Sequence, residues 1–276
     1  MPYEFKSCYF DDPIVSGRAI DIMLPKSVSQ PFALFFIHGG GWEGGARSNY
    51  HAIMRAFNME GFICASTDYR LRAPGITVFD QITDIRHGYG LFGKFLEDYG
   101  RPVSTIVHGA SAGAHLAALL ALTAPGQCGE SGKFREMTVP EWIPPAAAVL
   151  QSTPVFFEPW EDIFPKIWTS MQAVVGASYE GHEELYHKVA PYRHISESSC
   201  PFFFMEAECE HMFPLRHIIQ FTEKMRSLGR RAEYKIYKNA EHGFFYDVTR
   251  RQQKEAFADI LKFIQSLPYS GPVKKS

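Results

Sequence analysis

The sequence predicts an α/β protein, a mostly parallel sheet with helices on both faces, and three observations carry that prediction. Short unbroken apolar runs recur along the chain, helix-patterned segments lie between them, and glycines gather where two of the runs end. Runs without alternation suit strands covered on both sides, and their regular exchange with helices suits parallel pairing through crossovers.

The elements follow in order. In "RAIDIML", the pattern alternates with Ile20, Ile22 and Leu24 on one side, which predicts a half-buried antiparallel strand. From residue 32 onward the runs at 32–37, 62–66, 105–108, 146–150, 202–205 and, more weakly, 234–237 read as buried strands. Helices are expected at 50–60, 79–99, 112–122, 215–228 and 253–267. In the last of these Phe257, Ile260, Leu261 and Ile264 share one apolar face. The interval 125–192 breaks the alternation: it is proline-rich, and Phe156, Phe157, Trp160, Phe164, Trp168 and Met171 crowd together. It reads as a cap insertion on a single domain spanning 1–276.

Bulk properties narrow the function. The 276 residues are 21% charged with a formal net charge of -2, and no basic stripe suggests a nucleic-acid partner. No apolar run approaches the ~18 residues of a membrane span. The N-terminal "MPYEFKSCYF" lacks the basic and apolar blocks of a leader, so a cytoplasmic location is expected. Five cysteines at wide spacing form no CxxC pair and read as reduced thiols. Neither a metal nor an organic cofactor is expected, because "ECEH" at 208–211 lacks a helical HExxH or CxxC frame. The oligomeric state is left open, with a homodimer among the options.

The motif richest in chemistry is Gly109-Ala110-Ser111-Ala112-Gly113, which fits G-x-S-x-G. It follows the apolar "STIV" and opens an Ala/Leu-rich helix, the context in which a serine is forced out at a tight strand-to-helix turn. Glycines two positions to either side remove collisions, and the helix N-terminus favours developing negative charge. Acyl transfer through such a serine builds an oxyanion that needs preorganised donors, each worth about 3–4 kcal/mol in the transition state. "FFIHGGGWEGG" supplies bare backbone for that purpose. The N–H groups of Gly40, Gly41 and Ala112 are the expected oxyanion hole.

A serine needs a base, and the base needs an orienting acid. His242, in "NAEHGFF" between the last strand and the last helix, stands where the base belongs when the chain order is Ser, acid, His. His38 and His115 lie inside the two motifs and read as structural, while His211 and His217 are weaker alternatives. The acid is expected after "PFFFM", where "EAECEHMFP" offers Glu206, Glu208 and Glu210. Glu210 is preferred and Glu208 is the runner-up; Glu158, Glu161 and Asp162 are the fallback.

Together these residues resemble the α/β-hydrolase superfamily, in its HGGG-bearing esterase branch: the hormone-sensitive-lipase-like and acetylxylan/feruloyl-esterase-like carboxylesterases. The resemblance runs from about 32 to 267 through "HGGGW" at 38–42, "DYRL" at 68–71, "DQITDIRHG" at 80–88, "GASAG" at 109–113, "VAPYRHI" at 189–195 and "HGF" at 242–244. It departs in the acid loop, where the family's G-x-x-D-x-x-V-P is matched by Ala207, Glu210, Phe213 and Pro214. The resemblance implies the α/β-hydrolase fold and hydrolysis of a small-molecule carboxylic ester through an acyl-enzyme on Ser111. Trp42, Phe156 and Trp160 are the expected substrate wall. A short cap implies acetyl to butyryl, feruloyl or other aryl esters. An arylformamidase, suggested by Trp42 in H-G-G-x-W, is the second enzymatic reading, and a non-catalytic ligand-binding homologue is the third.

Overall fold

A computed structural model describes residues 3–10, 18–101, 104–130 and 142–268 of the chain. Eight strands, β1 (Tyr3–Tyr9), β2 (Ala19–Pro25), β3 (Phe32–Ile37), β4 (Cys64–Thr67), β5 (Ser104–Ala110), β6 (Ala147–Gln151), β7 (Phe202–Cys209) and β8 (Ala232–Glu241), form one sheet in the order β1-β2-β4-β3-β5-β6-β7-β8. β2 runs antiparallel to both β1 and β4, and every other pairing is parallel. The fold is that of an α/β hydrolase.

Among the described residues there are seven α-helices: α1 (His51–Met59), α2 (Val78–Asp98), α3 (Ala112–Leu122), α4 (Pro165–Val175), α5 (Glu183–Lys188), α6 (Leu215–Ser227) and α7 (Arg251–Gln265). The unbroken run of β3 explains the layering, since successive side chains of a strand point to opposite faces. Phe32, Leu34 and Phe36 join Ile53 and Phe57 of α1 and Ile260 and Phe263 of α7 in one core layer. Ala33, Phe35 and Ile37 join Ile82, Ile85 and Phe92 of α2, Leu116 of α3 and Phe221 of α6 in the other. α3 is apolar on all sides and buried on all sides, which its Ala/Leu composition permits. α2 begins with Asp80 accepting the N–H of Thr77 at 2.9 Å, a carboxylate closing the helix N-terminus.

Two expectations are corrected. β2 is not half-buried: all seven residues are buried, because β1 pairs along its outer edge and α1 and α2 cover its faces. Asp21 pays its way there by pairing with Arg47 at 2.9 Å and His51 at 2.8 Å. The interval 125–192 is not one continuous insertion, since β6 lies inside it as an interior strand of the sheet. Its stretch 131–141 lies outside the described residues. The part after β6 carries α4 and α5, whose Met171, Val174, Val175 and Tyr186 pack into the same core layer as α2 and α3.

Candidate active site

Ser111 stands between β5 and α3 with φ 52° and ψ -121°. A non-glycine residue held there is strained by roughly 1–3 kcal/mol, which the surrounding structure must over-determine. Its N–H donates to the carbonyl of Gln151 at 3.0 Å, and its own carbonyl accepts the N–H of His115 at 3.0 Å. Gly113 makes the turn possible, because a Cβ there would lie 2.1 Å from the carbonyl oxygen of Ile37. The first turn of α3 therefore lies directly against the end of β3, from which the glycine loop leaves.

That loop folds back on itself: the carbonyl of Gly40 accepts the N–H groups of Glu43 and Gly44 at 3.1 and 2.9 Å. Gly40 has φ 124°, and a Cβ there would lie 2.2 Å from the carbonyl oxygen of Gly44. No acceptor among the described residues takes the N–H of Gly40 or Gly41. Ala112 opens α3, so its N–H belongs to the helix turn without intrahelical acceptors. The N–H of Gly39 donates to Tyr246 Oη at 3.1 Å, which ties the loop to the segment following His242.

Trp42 is 2% exposed and offers no face to a substrate, a correction to its expected place in the substrate wall. Its Nε1–H donates to His115 Nδ1 at 3.2 Å, and its ring meets Phe157 edge-on. Its carbonyl accepts from Arg72 N and Gln81 Nε2, both at 2.7 Å. Trp42 is thus the peg that holds the glycine loop to α2 and α3. Phe156 and Trp160 are half-buried and clasp His217, at ring distances of 4.7 and 5.0 Å.

His242 follows β8. Its Nδ1 lies 2.8 Å from Oε2 and 3.0 Å from Oε1 of Glu210, in the loop after β7. Glu210 Oε1 also accepts the N–H groups of Met212 at 2.8 Å and Phe213 at 3.4 Å. Burial pushes the Glu210 carboxyl up, but the hydrogen bond and charge of His242, the Met212 amide and the Ser152 hydroxyl outweigh it and hold it below the usual range. Glu208 is occupied elsewhere, accepting the N–H of Asn239 at 2.9 Å, and Glu158 pairs with Arg193 at 2.6 Å. The Glu208 and Glu158 side chains are therefore spent away from the imidazole of His242.

His115, His38 and His217 are held away from a role as base. Burial lowers His115 to about 3, and its Nε2 donates to the carbonyl of Val189 at 2.7 Å. Burial also lowers His38, whose Nδ1 donates to the carbonyl of Gly39 at 2.8 Å. His217, between its two rings, is lowered to about 4 by burial and by Arg216.

Two residues that sequence reasoning missed join the parts. Gln151, at the end of β6, accepts from Ser111 through its carbonyl and exchanges two 3.0 Å hydrogen bonds with the backbone of Phe245 through its amide. Ser152, at φ 49°, accepts the N–H of Gly243 at 3.4 Å and its hydroxyl also reaches Glu210. The turn that carries Ser111 and the loop that carries His242 are therefore fastened to two consecutive residues. The only local signal was a polar pair ending an apolar run.

The family model described as BD-FAE matches residues 20–225, three quarters of the chain. The chain belongs to the BD-FAE family. The match includes Gly40, Gly41, Ser111 and Glu210 and stops before His242. BD-FAE membership agrees with two curated relatives from Mycobacterium tuberculosis. "Esterase LipC" is 25% identical over 86% of this chain and 58% of its own length, and "Esterase LipQ" is 27% identical over 84% and 55%. The chain thus spans little more than half the length of these relatives. Among solved structures it is similar to esterase 2 of Thermogutta terrifontis. The butyrate-bound form superposes with a TM-score of 0.75 at 19% identity, covering 97% of this chain and 96% of the other. The form phosphonylated by sarin gives 0.75 at 20% identity, with the same coverage. Among the described residues no helix is long and apolar enough to cross a membrane.

Proposed function

We propose that this BD-FAE family member is a serine carboxylesterase that hydrolyses short-chain acyl esters through an acyl-enzyme. Ser111 Oγ adds to the ester carbonyl and its proton passes to His242 Nε2. Glu210 holds the Nδ1–H and balances the imidazolium. The carbonyl oxygen becomes an oxyanion received by the N–H groups of Gly40, Gly41 and Ala112. Collapse expels the alcohol with the proton from His242, and water repeats the sequence on the acyl-serine. The observation that supports this reading is the double fastening at Gln151 and Ser152, which ties the strained Ser111 turn, and the loop whose His242 is engaged by a carboxylate, to two consecutive residues.

The names of the relatives support an ester substrate. The propionate-bound and butyrate-bound forms of the Thermogutta esterase support a short acyl group. The partner is a small-molecule ester; neither nucleic acid nor membrane enters the reaction. The indole of Trp42 lies in the core, so the H-G-G-x-W likeness adds no weight to an arylformamidase. A panel of p-nitrophenyl esters of graded acyl length tests the reading. Turnover greatest from acetyl to butyryl and falling beyond is the expected profile, and best activity on long-chain emulsions contradicts it.

A further inference from the structure

β7 carries a carboxyl that the proposed reaction does not use. Glu206 is 2% exposed, and its Oε1 has no hydrogen-bond partner. It lines a cleft of about 430 Å³ at the acid loop, together with Asp162, Glu208 and Glu210. Trp160 and Phe213 give the same cleft an aromatic wall, and among the described residues neither lysine nor arginine lines it. The amides of Met212 and Phe213, which precede α6, are taken by Glu210, so they do not offer the cleft an anion site.

We propose that this cleft binds a primary ammonium ion with an alkyl or aryl body, its N–H groups filling the open acceptor of Glu206 and its hydrocarbon lying against Trp160 and Phe213. A buried acceptor without a donor is costly, and carboxylates beside an indole face suit a cation. No cluster of His, Cys, Asp and Glu among the described residues is arranged to hold a metal, which favours a cation that brings its own donors and apolar surface. Burial, and after it the neighbouring Glu210, raise Glu206 well above the usual range, which favours its neutral form until a cation enters. Asp162, Glu208, Glu210 and His211 are the other titratable groups lining the cleft. Binding converts Glu206 to a carboxylate: the ammonium enters, the carboxyl O–H bond breaks, and the proton leaves to solvent. Ser111 and His242 do not line the cleft, and Glu210 together with Phe213, whose ring lies 5.9 Å from that of His242, links it to the proposed reaction.

Isothermal titration with benzylammonium, and with benzyl alcohol as its neutral counterpart, tests this on the native protein and on Ser111→Ala. The titrations are run near neutral pH in two buffers of different ionisation enthalpy. Benzylammonium should bind both proteins alike, at least roughly tenfold more tightly than the alcohol, with a buffer-dependent heat that reports proton release. Glu206→Gln should weaken it by about tenfold and abolish the proton release. Trp160→Leu, altering a half-buried ring outside the central core, should weaken it by about threefold and serves if the Glu206 variant does not fold. Equal affinity for the amine and the alcohol, or amine binding without proton release, overturns the proposal. Loss of turnover in Ser111→Ala with binding retained separates this site from the proposed reaction.

Discussion

His242 Nδ1 faces both carboxylate oxygens of Glu210, at 2.8 and 3.0 Å, although 32 residues separate them in the chain. Two oxygens on one N–H leave the imidazole a single tautomer, with Nε2 free to accept a proton. Glu210→Gln replaces an acceptor with an amide that favours the wrong tautomer. It should lower kcat by roughly 10²- to 10⁴-fold with little change in KM. Glu208→Gln, altering a carboxylate spent on Asn239, should stay near the native rate. Steady-state kinetics on a short-chain ester check both, and the reverse order would move the acid to Glu208.

Tyr246 receives the N–H of Gly39, and so fixes the root of the glycine loop. Tyr246→Phe keeps the ring and removes the acceptor. The donors at Gly40 and Gly41 then lose their alignment, and kcat should fall by about tenfold while KM stays within about twofold. An unchanged kcat would mean that the loop is held without this contact.

Trp42→Phe deletes the indole donor to buried His115. The orphaned imidazole nitrogen and the lost ring volume should destabilise the fold by about 1–3 kcal/mol, measured by urea unfolding. The acyl-chain profile should be unchanged, since the ring does not reach the surface.

Glu206 predicts a pH dependence of opposite sense to that of Glu210. Its folded value lies above the ordinary 4.5, so its contribution to stability is intact below that value and drains away as pH climbs toward the raised one. Glu210, lowered on folding, contributes above the ordinary value and loses that contribution as pH falls through its folded one. Glu206→Gln should therefore gain thermal stability relative to the native protein as pH rises above the ordinary 4.5 toward neutrality. Parallel melting curves across that range would contradict a neutral buried acid.

Local pattern made much of this legible. α3 keeps the bounds 112–122 expected from its Ala/Leu run, and the Ser111 turn and the glycine loop are each written in consecutive residues. β1 escaped notice because it lies at the sheet edge, where the alternation that opens "YEFKSCY" breaks after four residues at Ser7. α4 and α5 were hidden in an interval whose prolines and aromatics mask helical spacing. Trp42 misled for a physical reason: an aromatic beside a glycine loop looks like a wall, whereas its indole N–H finds a buried partner 73 residues away. Gln151 and Ser152 were illegible because their partners lie 94 and 91 residues downstream.

Mass spectrometry of the native protein after reaction with a fluorophosphonate tests the central claim most directly. Ser111 as the activated nucleophile predicts one adduct, on the peptide bearing Ser111, absent from Ser111→Ala, whose turnover should fall by roughly 10⁴-fold or more with the fold retained. An adduct on another residue, or ester turnover that survives in folded Ser111→Ala, would contradict it.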